Sequence, residues 1–507
     1  MNVTSEQLTA LKPLVVAVVG PTNEGKTSLL RTLTNDPNFG HVNAYTGTTA
    51  RAEIQKVFYR GCAEILQLVD TPGFQTSSEI LELTLNLPEV VEKNGDFDLN
   101  DVMRAIPQMD EDYRHDLRAW REVARCDVVI LVASVVEDPS KSLLKKTLRL
   151  LRNVGKPTVV AYNNVKEDAS PERRNFRDAW EETLRKNRFF LIQEYDAHRR
   201  SFENEIELFE KLAAVAREPL TQRVLRLEMQ ERRAQERRRL AESRRILAEL
   251  ALDIVAYREV ESSKDASNYQ AQSAELEEKL KEQVVKREHD AHTELLQTWG
   301  FHLGVLKREM LKVDDTASEA DQLLGKDVKR HFGLGSGVGV AVGAGLGLVL
   351  DAASAGISMG AGLTLGMFLG GLFGGGSGLA YNTKYDAKHK ILTARVDRGV
   401  ADVVLARGVY LIRQLRERGK ALEDAVQALV PCQVTSVENA AVAKLLNTAA
   451  KRDSYSKLNS PGTTFNDRDW RSLPGASVFA KPLPSREEAV EALAEALKQS
   501  IPDVDGA

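Results

Sequence analysis

Residues 20–27 read Gly20-Pro21-Thr22-Asn23-Glu24-Gly25-Lys26-Thr27, the pattern G-x-x-x-x-G-K-S/T of a phosphate-binding P-loop. Two glycines let the backbone wrap closely around a phosphate chain, so that its N–H groups face the anion. Lys26 then reaches the terminal phosphates, and the Thr27 hydroxyl is placed to ligate Mg²⁺. The flanks agree. Leu14-Val15-Val16-Ala17-Val18-Val19 is a continuous apolar run, as a buried parallel strand should be. Ser28-Leu29-Leu30-Arg31-Thr32-Leu33 has helical spacing, so the loop ends at a helix N-terminus, where anions are favoured. Gly20, Asn23, Glu24, Gly25, Lys26, Thr27 and Ser28 are therefore the candidate phosphate cradle.

Outward from this loop, the first 218 residues alternate apolar runs with helical stretches. That alternation predicts an α/β domain with a mostly parallel sheet and helices on both faces. Expected strands are Ile54–Phe58, Ile65–Val69, Val128–Val132, Thr158–Ala161 and Phe189–Gln193, with a hairpin turn near Arg60-Gly61. Helices are expected near 114–125, 140–153, 171–186 and 201–216. Asp70-Thr71-Pro72-Gly73 ends the Ile65–Val69 strand. In a P-loop protein, a carboxylate there holds Mg²⁺ through water, and the Gly73 N–H meets a γ-phosphate. Gly47-Thr48-Thr49 precedes the next strand. A threonine hydroxyl there closes the Mg²⁺ shell when a γ-phosphate is bound and leaves it after hydrolysis. Thr49 is the first choice for that role, with Thr48 second.

The chain has 507 residues, 43% hydrophobic and 28% charged, which suits a globular protein of roughly three domains. A net charge of −4 gives no whole-chain argument for nucleic-acid binding, and no DNA partner is expected. Cys62, Cys126 and Cys432 have neither metal nor disulfide spacing, which points to a reducing cytosolic compartment. Met1 to Lys12 lacks the order of a signal peptide.

From about residue 220 strand signals stop. Long, stalk-like helices are expected over 221–260 and 270–312, within a region spanning 219–331. Seven arginines lie in 232–245, interrupted by Glu236 and Glu242. A solvated helix face laced with ion pairs is the simpler reading of them. Residues 332–381 differ from everything else: they hold half of the chain's 34 glycines and a single charge, Asp351. The glycines keep a four-residue step through Gly335, Gly339, Gly343 and Gly347, and again through Gly362, Gly366, Gly370, Gly374 and Gly378. On helices each set forms a flat ridge that lets another helix approach closely. Each half is long enough to span ~30 Å of hydrocarbon. Lysines and arginines on both flanks fit a glycine-zipper hairpin with both ends on the cytoplasmic side. Residues 382–507 return to helical periodicity, with a loop-rich 451–484 and a last helix over 485–499.

At the P-loop, Gly47-Thr48-Thr49 and Asp70–Gly73, the chain resembles the translation-factor-like class of GTPases, and within it the Era and tRNA-modification group. Cys126-Asp127 leading the Val128–Val132 strand fits too. The resemblance covers about 1–218 and implies GTP/GDP as ligand, Mg²⁺ as cofactor and hydrolysis of GTP to GDP, with Lys26, Thr49 and Gly73 in the reaction. Thr27, Thr49 and Asp70 would hold Mg²⁺. Asn23 stands where some members help hold K⁺ beside the phosphates. Phe74 stands where Ras-like proteins carry a water-positioning glutamine, which implies slow turnover unless K⁺, a partner or dimerisation assists. The family's base-reading Asn-Lys-x-Asp is altered here to Asn163-Asn164-Val165-Lys166. A lysine cannot accept from guanine N1–H and N2–H, so guanine and adenine both stay open. Ala197 is in register with the family's base-backing loop. The whole layout looks like a bacterial family of Era-like GTPases with a C-terminal helical domain of unknown function and a glycine-rich apolar segment.

Two classes of role compete. One is a membrane-associated switch or membrane-remodelling GTPase at the cytoplasmic face of the inner membrane, with a lipid bilayer as partner and a homodimer through the nucleotide face. In that reading residues 79–110 are a relay or dimer contact. The other is a soluble RNA- or ribosome-associated GTPase, which the acidic balance and the few aromatics near the arginines disfavour. A nucleotide-binding scaffold with negligible turnover is the third.

Overall fold

A computed structural model describes residues 3–34, 53–107, 110–135, 138–140, 142–163, 171–195, 200–262, 269–301, 384–386, 391–396, 398–418, 440–459 and 484–504. The chain divides into two compact units: Met1–Ala234 with Arg416–Glu423, and Gln235–Leu415 with Asp424–Ala507.

In the first unit, α1 (Ser5–Thr9) leads into β1 (Leu14–Val19), and α2 (Lys26–Thr34) follows the P-loop. β2 (Glu53–Tyr59) and β3 (Ala63–Asp70) form the expected hairpin, and α3 (Ser77–Leu85), α4 (Pro88–Glu92) and α5 (Leu99–Ala105) come next. The rest alternates: α6 (Arg114–Arg125), β4 (Val128–Ser134), α7 (Ser142–Val154), β5 (Thr158–Asn163), α8 (Pro171–Lys186), β6 (Ile192–Glu194) and α9 (Phe202–Val215). The sheet order is β2-β3-β1-β4-β5-β6. β2 runs antiparallel to β3, and the other pairings are parallel. Every residue of β4 and β5 is buried, as their largely apolar sequences suit in a sheet covered on both faces.

This order decides where a ligand can sit. β1 lies between β3 and β4, and the chain leaves β1 toward β2 and β3 but leaves β4 toward β5, so the connections from these two adjacent strands pass to opposite sides. The crevice at the carboxyl end of such a strand is the usual binding position in an open α/β sheet. The P-loop follows β1 there, and Asp70 is level with Val18 across the ladder. The short helices α3–α5 and the turns beside them place Ile80, Leu81, Val90, Phe97, Val102 and Ile106 in the core around Trp120. They share that core with Leu144, Leu148 and Leu151 of α7.

The 37-residue α10 (Pro219–Val255) opens the helical region. Of the arginines at 232–245, Arg232 pairs with Glu228, Arg233 with Glu210, Arg239 with Glu236, Arg244 with Asp503, and Arg245 with Glu249 and Glu487. These side chains are engaged by the protein's own carboxylates, in line with the ion-pair reading.

The second unit departs from the expectation that strands end near 220. β7 (Arg258–Ser262), β8 (Lys384–Asp386) and β9 (Ile391–Arg395) form an antiparallel sheet in the order β7-β9-β8. The expected helix over 221–260 accordingly stops at Val255, and β7 takes its last residues. The reason is tertiary: β7 finds its partner more than a hundred residues away, and a five-residue run offers too little local pattern. α11 (Tyr269–Thr298), α12 (Arg398–Glu417), α13 (Ala440–Ala449) and α14 (Arg486–Ala496) complete the described helices. Ser485 caps α14 with Glu488 in the expected capping box.

Arg258 and Arg395 sit directly opposite each other across β7 and β9. Two like charges in that position repel. The fully buried Asp453 lies between them, 2.7 Å from each guanidinium. Asp453→Ala would leave the buried Arg258 charge without this counter-ion. The expected cost is about 3–5 kcal/mol of second-unit stability, read by urea unfolding. A loss under about 1 kcal/mol would show that the site relaxes around the two arginines.

The glycine-rich segment 332–381 lies outside the described residues. Among the described residues, no helix is long and apolar enough to cross a membrane.

Candidate functional site

Gly20 leaves β1 at φ +153°, where a Cβ would lie 2.5 Å from the Val132 carbonyl oxygen of β4. Gly25 has φ +87°, and a Cβ there would lie 2.4 Å from Asn163 Nδ2. Neither position admits a side chain, so both glycines of the motif are used for close approach. Between them Asn23 takes φ +69°, a left-handed conformation asparagine tolerates better than most residues. The loop closes onto the first turn of α2, where the Leu29 N–H donates to Gly25 O at 2.8 Å. The free N–H groups of that turn carry the positive end of the helix dipole.

Lys26 is the first residue of α2 and is buried. Its Nζ folds over the loop, donating to Pro21 O at 2.7 Å and Gly20 O at 3.2 Å. Burial pulls its ammonium from 10.5 to about 8, with Asp70 and Glu24 opposing the shift. A phosphate chain is the natural anion for a cation held in this place.

Asp70 ends β3 with 1% of its surface exposed. The Thr27 hydroxyl donates to its Oδ2 at 2.5 Å. Burial raises the carboxyl from 3.8 to about 6, against the lowering effects of Thr27 and Lys26. Oδ1 is buried with no hydrogen-bond partner among the described residues. A buried carboxylate oxygen seldom stays unpaired. A second hard oxygen, the Thr27 hydroxyl, stands beside it. This donor pair at the foot of a phosphate cradle fits Mg²⁺, which takes one or two protein oxygens and fills its shell with phosphate and water.

Gly73 lies against the loop itself. A Cβ there would meet Thr22 Oγ1 at 2.6 Å and the Thr22 backbone nitrogen at 2.7 Å. The Thr71 hydroxyl donates to Val18 O at 2.7 Å, and the Phe74 N–H donates to Gly20 O at 3.0 Å. The Phe74 ring is buried in the core and stacks on Trp120, with centroids 5.2 Å apart. Phe74 is thus a core residue and presents no polar group to a reacting water. One further residue escapes the motif: Asp116, in the first turn of α6. Its carboxylate accepts from the N–H groups of Gln75 at 2.9 Å and Thr76 at 3.3 Å. Burial raises it to about 6 as well. Nothing in the sequence marks Asp116 beyond an acid near a helix start.

On the base side, Asn163 ends β5, and its Nδ2 donates to the Glu24 carbonyl at 2.9 Å, bracing the loop from behind. Gly20, Asn23, Glu24, Gly25, Lys26, Thr27, Ser28, Asp70, Gly73 and Asn163 therefore come together at one end of the sheet. Thr48, Thr49, Asn164 and Ala197 lie outside the described residues.

A family profile described as "Domain of unknown function (DUF3482)" matches residues 181–472, more than half of the chain. The chain belongs to the DUF3482 family. Residues 15–164 of this DUF3482 protein match a second profile, described as "50S ribosome-binding GTPase". That span contains the P-loop and Asp70–Gly73, and it is a P-loop GTPase domain. No curated protein matches the chain at a significant level.

Solved structures similar to it include Era in complex with MgGDPNP and nucleotides 1506–1542 of 16S ribosomal RNA, at 18% identity and a TM-score of 0.27, covering 37% of this chain and 52% of that one. An Aquifex aeolicus Era variant bound to GDP.AlF4- is 19% identical, with a TM-score of 0.26 and coverage of 37% and 52%. The G domain of the T. maritima FeoB iron transporter is 20% identical, with a TM-score of 0.24, covering 41% of this chain and all of that one. The DUF3482 chain spans about half the length of the two Era structures.

Proposed function

We propose that this protein binds GTP with Mg²⁺, hydrolyses it to GDP and phosphate, and uses the change as a switch. The observation that carries this is the Thr27–Asp70 pair, whose Oδ1 has no partner among the described residues, set beneath a loop that Gly73 touches. The loop N–H groups cradle the phosphates, and Lys26 exchanges its two carbonyl partners for phosphate oxygens. Thr27 and Asp70 would hold Mg²⁺, with Thr49 joining them in the γ-phosphate state, and the ion would supply positive charge to the phosphate oxygens. The Gly73 N–H contacts the γ-phosphate, so loss of that group releases the segment after Asp70. Asn163 steadies the loop, and Asn164 and Ala197 stand on the base side.

With the Phe74 ring packed on Trp120, the chain offers no water-positioning side chain at that position. Intrinsic turnover is therefore slow, and K⁺ held beside the phosphates with the help of Asn23, or a second protein surface, supplies the missing charge. A homodimer through the nucleotide face would do so.

The test measures GTP and ATP turnover in K⁺ and in Na⁺, for the wild type and Lys26→Ala. Turnover of GTP, faster in K⁺ and absent in the variant, is expected. Equal use of ATP would remove the guanine assignment, and turnover that survives Lys26→Ala would overturn the site.

A second reading concerns location and rests on the near-absence of charge and the four-residue glycine step in 332–381. We propose that this segment binds the lipid bilayer at the cytoplasmic face. Carbonate extraction of the full chain beside a deletion of 332–381 tests it; a full chain that stays soluble ends the reading.

A further inference from the structure

We propose that Asp116 is a positioning residue for GTP hydrolysis, acting through the segment that carries Gly73. This inference rests on the hydrolytic reading above and names the group that sets its geometry.

The segment leaves Asp70 and must hold the Gly73 N–H in one place for it to meet a γ-phosphate. Its first half is tied to the sheet and the P-loop through Thr71 and Phe74. Its second half is held differently. Thr76 stands at the N-cap of α3 but makes no side-chain capping bond. The N–H groups of Gln75 and Thr76 instead turn to a carboxylate forty residues away in sequence. Asp116 has no exposed surface. Burying a carboxylate is costly unless its bonds are made, and here they are made to switch backbone.

The same helix face makes a second contact. Trp120 is four residues on from Asp116, so both project from one side of α6. Trp120 holds the Phe74 ring while Asp116 holds the next two N–H groups. The Ser77 and Thr147 hydroxyls, 2.9 Å apart, fix the first residue of α3 to α7. One helix face thus grips three consecutive residues immediately after Gly73. Removing the carboxylate frees the middle of that grip and leaves the phosphate cradle and the Thr27–Asp70 pair untouched. A displacement of even 1 Å at a reacting group can cost on the order of 100-fold in rate.

The experiment compares wild type, Asp116→Leu and Asp116→Asn for kcat and KM with GTP, and for thermal unfolding without nucleotide. Leucine keeps the volume and removes both acceptors, whereas asparagine keeps one. Asp116→Leu is expected to lower kcat by about 10- to 100-fold with KM within about 3-fold. Asp116→Asn should recover most of that loss. The proposal is overturned if the leucine variant keeps wild-type kcat in its folded fraction while its Tm falls, which would mark a purely structural carboxylate. It is equally overturned if asparagine is as damaging as leucine, or if KM rises and kcat does not change. A wild type without Lys26-dependent turnover overturns the hydrolytic reading itself, which separates the two failures.

Discussion

Lys26→Ala is expected to abolish GTP turnover and to weaken GTP binding by about 100-fold or more, the scale of removing one buried charge partner. The ammonium is buried and held over the loop by two carbonyls. The same burial that lowers it to about 8 makes its later contact with an anion strong. The effect should fall on binding and leave folding intact. Between pH 8 and 10.5 the unfolded chain binds more protons at this group than the folded one, so stability without nucleotide rises with pH through that window. Below it, the desolvated charge is a burden on the native state. The Tm of nucleotide-free Lys26→Ala at about pH 7 should therefore match or exceed that of the wild type. Isothermal titration with GTP and a thermal scan check the two halves. Near-normal affinity in the variant would mean that this ammonium does not meet the phosphates.

Asp70→Asn should trade function for stability. Burial holds the Asp70 carboxyl at about 6 against an ordinary 3.8. Between those values the folded protein keeps a proton that the unfolded chain releases, so stability falls as pH rises through the window and stays low above it. A shift of that size corresponds to roughly 2–3 kcal/mol at neutral pH. Asparagine carries no such charge and can still accept from Thr27. The nucleotide-free variant should melt several degrees higher than the wild type at about pH 7.5 and about equally at about pH 4, since 1 kcal/mol moves Tm by roughly 2–4 °C in a unit of this size. With Mg²⁺ and GTP the order should reverse, because the variant loses the oxygen charge that attracts the ion. Thermal scans across about pH 4–8, with and without Mg²⁺ and GTP, measure both arms. A variant less stable than the wild type at the upper end of that range without ligand would show that Asp70 is structural.

Much of the first unit was legible because its signals are local. Unbroken apolar runs such as Leu14–Val19 and Val128–Val132 mark buried strands without reference to anything distant. Gly20 and Gly25 sit at the fixed spacing of a phosphate cradle, and a Cβ at either would press on the protein's own Val132 carbonyl or Asn163 side chain. The second unit was less legible. β7 and β9 are each five residues long and pair across more than a hundred residues, so neither carries enough pattern to outweigh the helices beside it. Asp453 acquires meaning only once that pairing places Arg258 opposite Arg395.

By itself the sequence determined that a phosphate-binding loop follows a buried strand and that Asp70 and Gly73 end the strand beside it, since each of these depends on neighbours a few residues away. Tertiary structure alone decided which way Phe74 faces, which oxygen of Asp70 lacks a partner among the described residues, and that Asp116 supports Gln75 and Thr76. Those facts depend on burial and on the meeting of distant segments. The same letters in a solvated loop would have ordinary pKa values and water for partners.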